Sequence, residues 1–439
     1  MAYDTESRFA PFASPAAMND FVSRPAASPA EPRGRSHGPD AARRAALACM
    51  VTLAVALGVG RFAFTPLLPL MLHGGGLDLR HGGWLASLNY AGYFAGALGC
   101  VALRGAHATI VRVGLAATVL LTLAMGLTQQ FWIWAVVRFV AGAVSAWTFV
   151  FASQWGLRRL AELSAPEWGG VIYTGPGVGI VATGLIVSAA GGLGARAGWI
   201  GFGLISAVLA VLVWPTFGED RREKCEEKCA PTLHAAGAAK FAAGANASAA
   251  PDQPRADAFW LVLLYGVPGF GYIITATFLP VIARHALPGS AWPDLFWPMC
   301  GAALIVGALA GARLPLHWDN RLMLAGCYVV QAVGIALGIV WPNAAGFSFG
   351  SILIGLPFTA ITLFAMREAR LLRGEHAAAL MGYATAAYGI GQIAGPLVAA
   401  PLAAATGSFS PSLWLAAAAL VAGALGLVWR ACTRGRIAH

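Results

Sequence analysis

The chain has 439 residues, of which 58% are hydrophobic and only 11% charged, with a formal net charge of +10. A water-soluble domain carries roughly 25% charged residues, and mean hydropathy here is +0.68, so a soluble globular fold is excluded. The chain reads as an integral membrane protein, and its apolar runs are the first thing to count.

Residues 1–42 are rich in Ala, Pro, Ser and Arg and predict a disordered cytosolic tail. They hold no apolar stretch with a cleavage site, so no signal peptide is expected. Twelve apolar runs follow: 45–72, 82–103, 109–128, 131–156, 168–193, 198–217, 257–284, 293–313, 321–341, 344–366, 376–404 and 411–431. Each is near the ~20 residues a helix needs to cross the hydrocarbon core. Between the sixth and seventh lies 218–256, opening "GEDRREKCEEKC". It is too polar to bury a core and predicts a flexible cytosolic linker. The chain therefore divides into a six-helix half (43–217), the linker, a second six-helix half (257–432) and a short cytosolic tail (433–439). The predicted fold class is an all-α integral membrane protein with twelve transmembrane helices.

Basic residues set the orientation. With the N-terminus inside, the short inner loops hold Arg104, Arg112, Arg158, Arg159, Arg313, Arg321, Arg367, Arg370 and Arg373, against Arg80, Arg196 and Arg284 outside. The positive charge is thus a topology signal facing anionic lipid, not a nucleic-acid surface. Among the cysteines, Cys49, Cys100, Cys300, Cys327 and Cys432 sit in or beside apolar runs as small hydrophobes. Cys225 and Cys229, with His234 nearby, fall short of the four ligands of a structural metal site, so reduced thiols are expected. No metal or cofactor is predicted.

One charge lies inside a run. In "ALGVGRFAFTPLLPLML" (56–72), Arg61 follows Arg44 by 17 residues, about 26 Å of helix at 1.5 Å per residue. An arginine at that depth costs roughly 2.5–3.5 kcal/mol on insertion scales, so it should face a partner or a wet cavity. Arg138 in the fourth run is a second buried cation, read either as a substrate ligand or as a brace on neighbouring carbonyls. The acids fall in tails, loops and helix ends, leaving no obvious carboxylate partner. Polar residues accompany these arginines: Thr65 one turn after Arg61, Asn89 with Tyr93, Tyr173, Tyr272 with Thr275, and Tyr388 with Gln392. Each is a candidate substrate contact, the alternative being a satisfied interhelical hydrogen bond. Trp132, Trp134, Trp292, Trp297 and Trp341 read as an outer aromatic belt.

The halves echo each other. "YTGPGVGIVATG" (173–184) and "YGIGQIAGPLVAA" (388–400) share glycines and a Gly-Pro pair, Gly175-Pro176 and Gly395-Pro396. A parallel duplication accounts for this. These pairs, with Gly58, Gly60 and Pro66 around Arg61, are expected bending points.

Two six-helix halves joined by a cytosolic loop resemble the major facilitator superfamily over about 43–432. "RFVAGAVSA" is similar to its fourth-helix Arg-and-Gly motif, here Arg138 and Gly142, and Gly175-Pro176-Gly177 with Gly179 to its fifth-helix motif. The loop "GCVALRGAHATIVR" departs, with Leu103 where the family has Asp. "GVGRFAFTPLLPLM" followed by "GWLASLNYAGYFAGALG" resembles the YbfB/YjiJ-type branch. The resemblance implies a monomeric secondary or facilitative transporter of a bacterial inner membrane, whose halves rock around a central site.

With the arginines, this predicts a small organic anion as cargo, moved with a proton, against a counter-substrate, or by plain uniport. Export of apolar or cationic compounds is the alternative, followed by a non-transporting sensor. No paired nucleophile and base suggests an enzyme, and no phosphate-binding loop suggests a nucleotide-driven pump.

Overall fold

The computed structural model describes residues 39–74, 76–100, 102–103, 105–218, 253–311, 318–374 and 377–437. The predicted tail through residue 38, the linker at 219–252 with Cys225, Cys229 and His234, Arg104, Arg313 and residues 438–439 lie outside them.

All regular structure among the described residues is helical. The first run forms α1 (Pro39–Leu53), a π-helical turn (Ala54–Val59) and α2 (Phe64–His73). Then come α3 (Leu79–Gly99), α4 (His107–Leu127), α5 (Phe131–Glu162), the single turn α6 (Gly169–Ile172), α7 (Gly175–Ala190) and α8 (Gly194–Val213). The chain resumes with α9 (Gln253–Ala286), α10 (Pro293–Gly311), α11 (Asn320–Val340), α12 (Ala344–Gly355), α13 (Phe358–Arg373), α14 (Ala377–Thr406) and α15 (Ser410–Ile437).

Among the described residues, ten helical stretches are long and apolar enough to cross a membrane. One of them, Pro166–Phe217, has 52 residues and turns back at Gly194, whose φ of 81° suits a residue without a side chain. The 21-residue α3 falls short of that apolarity because Gly, Tyr and Asn89 dilute it. It packs against α5 on one side and α14 on another, and leaves Trp84 and Leu98 exposed.

Helices of 39–217 meet those of 253–437 through α3 with α14, α7 with α10, and α2 with α9. Small residues bring the first two pairs close: Gly83 lies against Pro396 and Ala400, and Gly177 against Gly301. One apolar cluster, including Phe62, Phe64, Tyr272, Phe278, Phe296 and Trp297, is continuous across both segments.

Several sequence expectations change. Arg158 and Arg159 end α5, and Arg367, Arg370 and Arg373 end α13, because these helices run on past the apolar stretch rather than stopping in loops. Arg321 is a buried member of an ion-paired group: it binds Glu368 at 2.7 Å and Asp257 at 2.8 Å, and Asp257 also binds Arg430. This group joins the ends of α9, α11, α13 and α15, at what is called here the basic end. Trp132, Trp292 and Trp341 are exposed as a belt requires, but Trp134 and Trp297 are buried. The Trp134 indole donates to the Met125 carbonyl (3.0 Å), and Trp297 lies edge-on to Phe62.

Candidate functional site

The site grows out of the break in the first long helix. Pro66 has no N–H, and its ring excludes the carbonyl four residues back. The α-helical ladder therefore cannot pass through Phe62, whose carbonyl accepts from the Thr65 N–H instead (3.1 Å). Upstream the ladder has already widened: the Gly60 N–H reaches the Val55 carbonyl (2.9 Å) and the Phe62 N–H reaches Leu57 (3.0 Å). Such single π turns loosen a helix locally. The widened turn presses Gly58 onto the backbone of Gly179 in α7, where a Cβ on either residue would collide.

Arg138 repairs this break. Its guanidinium donates to the carbonyls of Gly60 (3.2 Å) and Arg61 (3.1 Å) and lies over the Phe64 ring at 4.8 Å. The Asn89 amide donates to the Arg138 carbonyl (2.8 Å), and Gly142, one turn on, lets the Asn89 backbone lie against α5. The spacing of Arg138 and Gly142 thus serves one contact surface.

Arg61 points towards α14. Its Nη2 donates to Gln392 Oε1 at 2.9 Å, and Gln392 Nε2 donates to the Tyr272 hydroxyl. Three rings surround the guanidinium carbon: Tyr93 at 4.1 Å, Tyr90 at 5.1 Å and Phe62 at 5.2 Å from their centroids. Nε has no hydrogen-bond partner. Beyond Gln392, Tyr272 lies parallel to Tyr388 (6.0 Å, 22°) and Tyr388 to Tyr265 (5.0 Å, 25°), while Phe358 meets Tyr272 edge-on.

Hydrogen bonds between the two segments flank this cluster. Thr65 donates to the Ala276 carbonyl (3.0 Å), Ser87 to the Ile393 carbonyl (2.8 Å), and the Tyr90 and Thr277 hydroxyls pair at 3.0 Å. Arg61 is 6% and Arg138 2% exposed. Among the described residues no Asp or Glu is ion-paired with either. Arg138 is committed to backbone carbonyls. Arg61 has spent one donor on a neutral amide and keeps an uncompensated charge, so the cluster can take a carboxylate or another planar oxyanion.

Of the residues singled out in the sequence, Arg61, Asn89, Tyr93, Arg138, Tyr272, Tyr388 and Gln392 come together here, with Thr65 at the edge. Tyr173 does not: it closes α6, with its ring against Phe149 in a separate apolar cluster. Thr275 faces away too, into a narrow cavity beside Gly334, Phe347 and Ser351. Gly175 and Gly395 allow close packing on α1 and α9, Pro176 restarts the helix after Tyr173, and Pro396 lies within α14 beneath Gly83. Sequence reasoning missed Tyr90, three residues before Tyr93, and Tyr265, seven before Tyr272. Helical spacing alone points to both.

The family model described as "Uncharacterised MFS-type transporter YbfB" matches residues 53–427, a range that includes the whole cluster. Among solved structures, a crystal structure of a point mutant of the nucleoside transporter NupG is similar, with a TM-score of 0.68 and 14% sequence identity. The similarity covers 88% of this chain and 99% of that one, and at this identity it speaks for the fold. No curated protein matches the sequence significantly.

Proposed function

The chain belongs to the YbfB-type family of major facilitator superfamily transporters, and from that premise we propose that it moves a small organic anion across the bilayer by alternating access. It is a membrane transporter rather than an enzyme. The observation that carries the anion assignment is the Arg61 guanidinium, buried between the two segments with no carboxylate on it. A buried cation without a counter-charge is costly, and an anionic solute supplies that charge only while bound.

The architecture assigned is twelve spans in two six-helix halves, 43–217 and 257–432, with the basic end in the cytosol of a bacterial cell. Ten apolar stretches, one of which (Pro166–Phe217) is long enough for two spans, together with α3 support this count. The halves would rock about the cluster, breaking the bonds at Thr65, Ser87 and Tyr90 as the far side opens.

A second reading is a neutral ring-bearing solute. NupG is a nucleoside transporter, and the parallel tyrosines here favour a flat ring. Thermal unfolding of the purified protein against organic acids, nucleosides and amines separates these readings, because a ligand of the folded state raises Tm. Acids should stabilise, and Arg61→Ala and Arg61→Lys should lose the effect. Stabilisation by amines or nucleosides alone would overturn the anion assignment.

A further inference from the structure

Five of the nine tyrosines in the chain gather around one buried arginine and the glutamine it binds: Tyr90 and Tyr93 lie against Arg61, Tyr272 meets Gln392, and Tyr388 and Tyr265 stack outward from Tyr272. We infer that the Gln392 carboxamide is a built-in stand-in for the carboxylate of the solute, and that the solute is a small monocarboxylate bearing a planar ring. The inference rests on the anion assignment above and narrows it.

The argument begins with shape. A carboxamide and a carboxylate are both planar, with two polar atoms at similar positions, but the amide is neutral and has one acceptor oxygen where the carboxylate has two. Gln392 presents that oxygen to Arg61 Nη2 and turns its nitrogen away to Tyr272. Arg61 Nε is left without a partner. A carboxylate in place of the amide would engage the fork through two parallel bonds and supply the missing charge. Gln392 belongs to α14 and Arg61 to the first span, so exchanging one for the other also cuts a direct bond between the segments. Solute binding is thereby tied to their separation.

The ring requirement comes from what surrounds the fork. The Arg61 guanidinium carbon lies over the Tyr93 ring, 4.1 Å from its centroid, so one side of the fork is covered by an aromatic ring. Beyond Gln392 lies the Tyr272 hydroxyl, at the rim of the near-parallel rings of Tyr272, Tyr388 and Tyr265. Once the amide swings out, a ring joined directly to the carboxylate would enter beside this stack of tyrosines, where a flat ring extends the parallel arrangement and a puckered one does not.

The test uses purified full-length protein and three probes, benzoate, cyclohexanecarboxylate and benzamide, followed by thermal unfolding. Benzoate should raise Tm, cyclohexanecarboxylate should do so less, and benzamide should not. Removing the internal competitor in Gln392→Ala should tighten apparent benzoate binding on the order of tenfold, since the competent state no longer has to be freed first. Gln392→Glu carries its own carboxylate and should not respond. Tyr388→Leu should erase the preference for benzoate over cyclohexanecarboxylate.

A benzoate response in Gln392→Glu equal to the unaltered protein, or weaker binding in Gln392→Ala, overturns the stand-in. Should Gln392→Glu fail to fold, the Gln392→Ala titration decides alone. Equal effects of benzoate and cyclohexanecarboxylate overturn the ring requirement and leave the anion assignment standing. No response to either acid in both the unaltered protein and Gln392→Ala overturns the inference. If an amine or a nucleoside then stabilises, the anion assignment falls with it.

Discussion

The guanidinium of Arg138 donates to the backbone carbonyl of Arg61 at 3.1 Å. One buried arginine thus holds the main chain of the other, and the two must answer differently to substitution. Arg138→Ala strands the carbonyls of Gly60 and Arg61, and each unsatisfied buried group costs about 1–3 kcal/mol. The expected result is a large fall in Tm with no ligand present. Arg138→Lys keeps the charge but loses the fork, and should fall between. Arg61→Lys should leave unliganded Tm nearly unchanged while abolishing stabilisation by organic acids.

Gly58 and Gly179 touch backbone to backbone. Gly58→Ala forces the π turn and α7 apart and should destabilise by about 1–3 kcal/mol, the usual range for overpacking. Gly76→Ala is the control, since nothing lies within 4 Å of a Cβ added there. Equal melting temperatures for the two variants would refute this packing.

The ion-paired group at the basic end predicts strong coupling. Arg321→Met takes the shared cation from Glu368 and Asp257, at a cost of about 3–5 kcal/mol, whereas Glu368→Gln leaves Arg321 paired with Asp257 and should cost less. The double variant should recover a good part of that loss. A double-mutant cycle on thermal or denaturant unfolding measures the recovery, and strict additivity would show that the pair is not coupled.

Asp78 caps the N-terminus of α3, accepting from the His81 N–H at 2.7 Å. That backbone bond holds its carboxyl below the usual carboxylate range. A group with a depressed folded-state pKa stabilises fully above its unfolded pKa and loses that contribution as pH falls through the folded one. Tm of the unaltered protein should therefore carry a small acid-side decline that Asp78→Asn lacks, while Asp78→Ala should lose about 1 kcal/mol at neutral pH through the missing cap. A Tm series from neutral to acidic pH distinguishes the three proteins.

Much of the fold was legible because bilayer thickness fixes helix length, so apolar runs mark spans to within a few residues. The resemblance of the first two helices to the YbfB/YjiJ-type branch is borne out by the family match over 53–427. Facing was less legible. Thr65 stands one turn after Arg61, yet it bonds to Ala276 while Arg61 bonds to Gln392. A helical wheel assumes an unbroken ladder, and this one breaks between them. Trp134 and Trp297 were placed by depth, but depth does not say whether a side chain faces lipid or protein. The ion-paired group was hidden for another reason: Arg321 meets residues 47, 64 and 109 positions away, and no local pattern carries such distances.

The π turn at Ala54–Val59 has a consequence for how this protein could have arisen. A π turn is what an α-helix becomes when it absorbs one surplus residue. Deleting a single residue there would restore the ladder and leave Arg61 on the same face, since the surplus residue is taken up within the turn. A change of one codon in length thus alters the stiffness of the first span beside Gly179 without moving the charge, and homologues with and without it should differ in how readily that span bends while their central side chains stay in place.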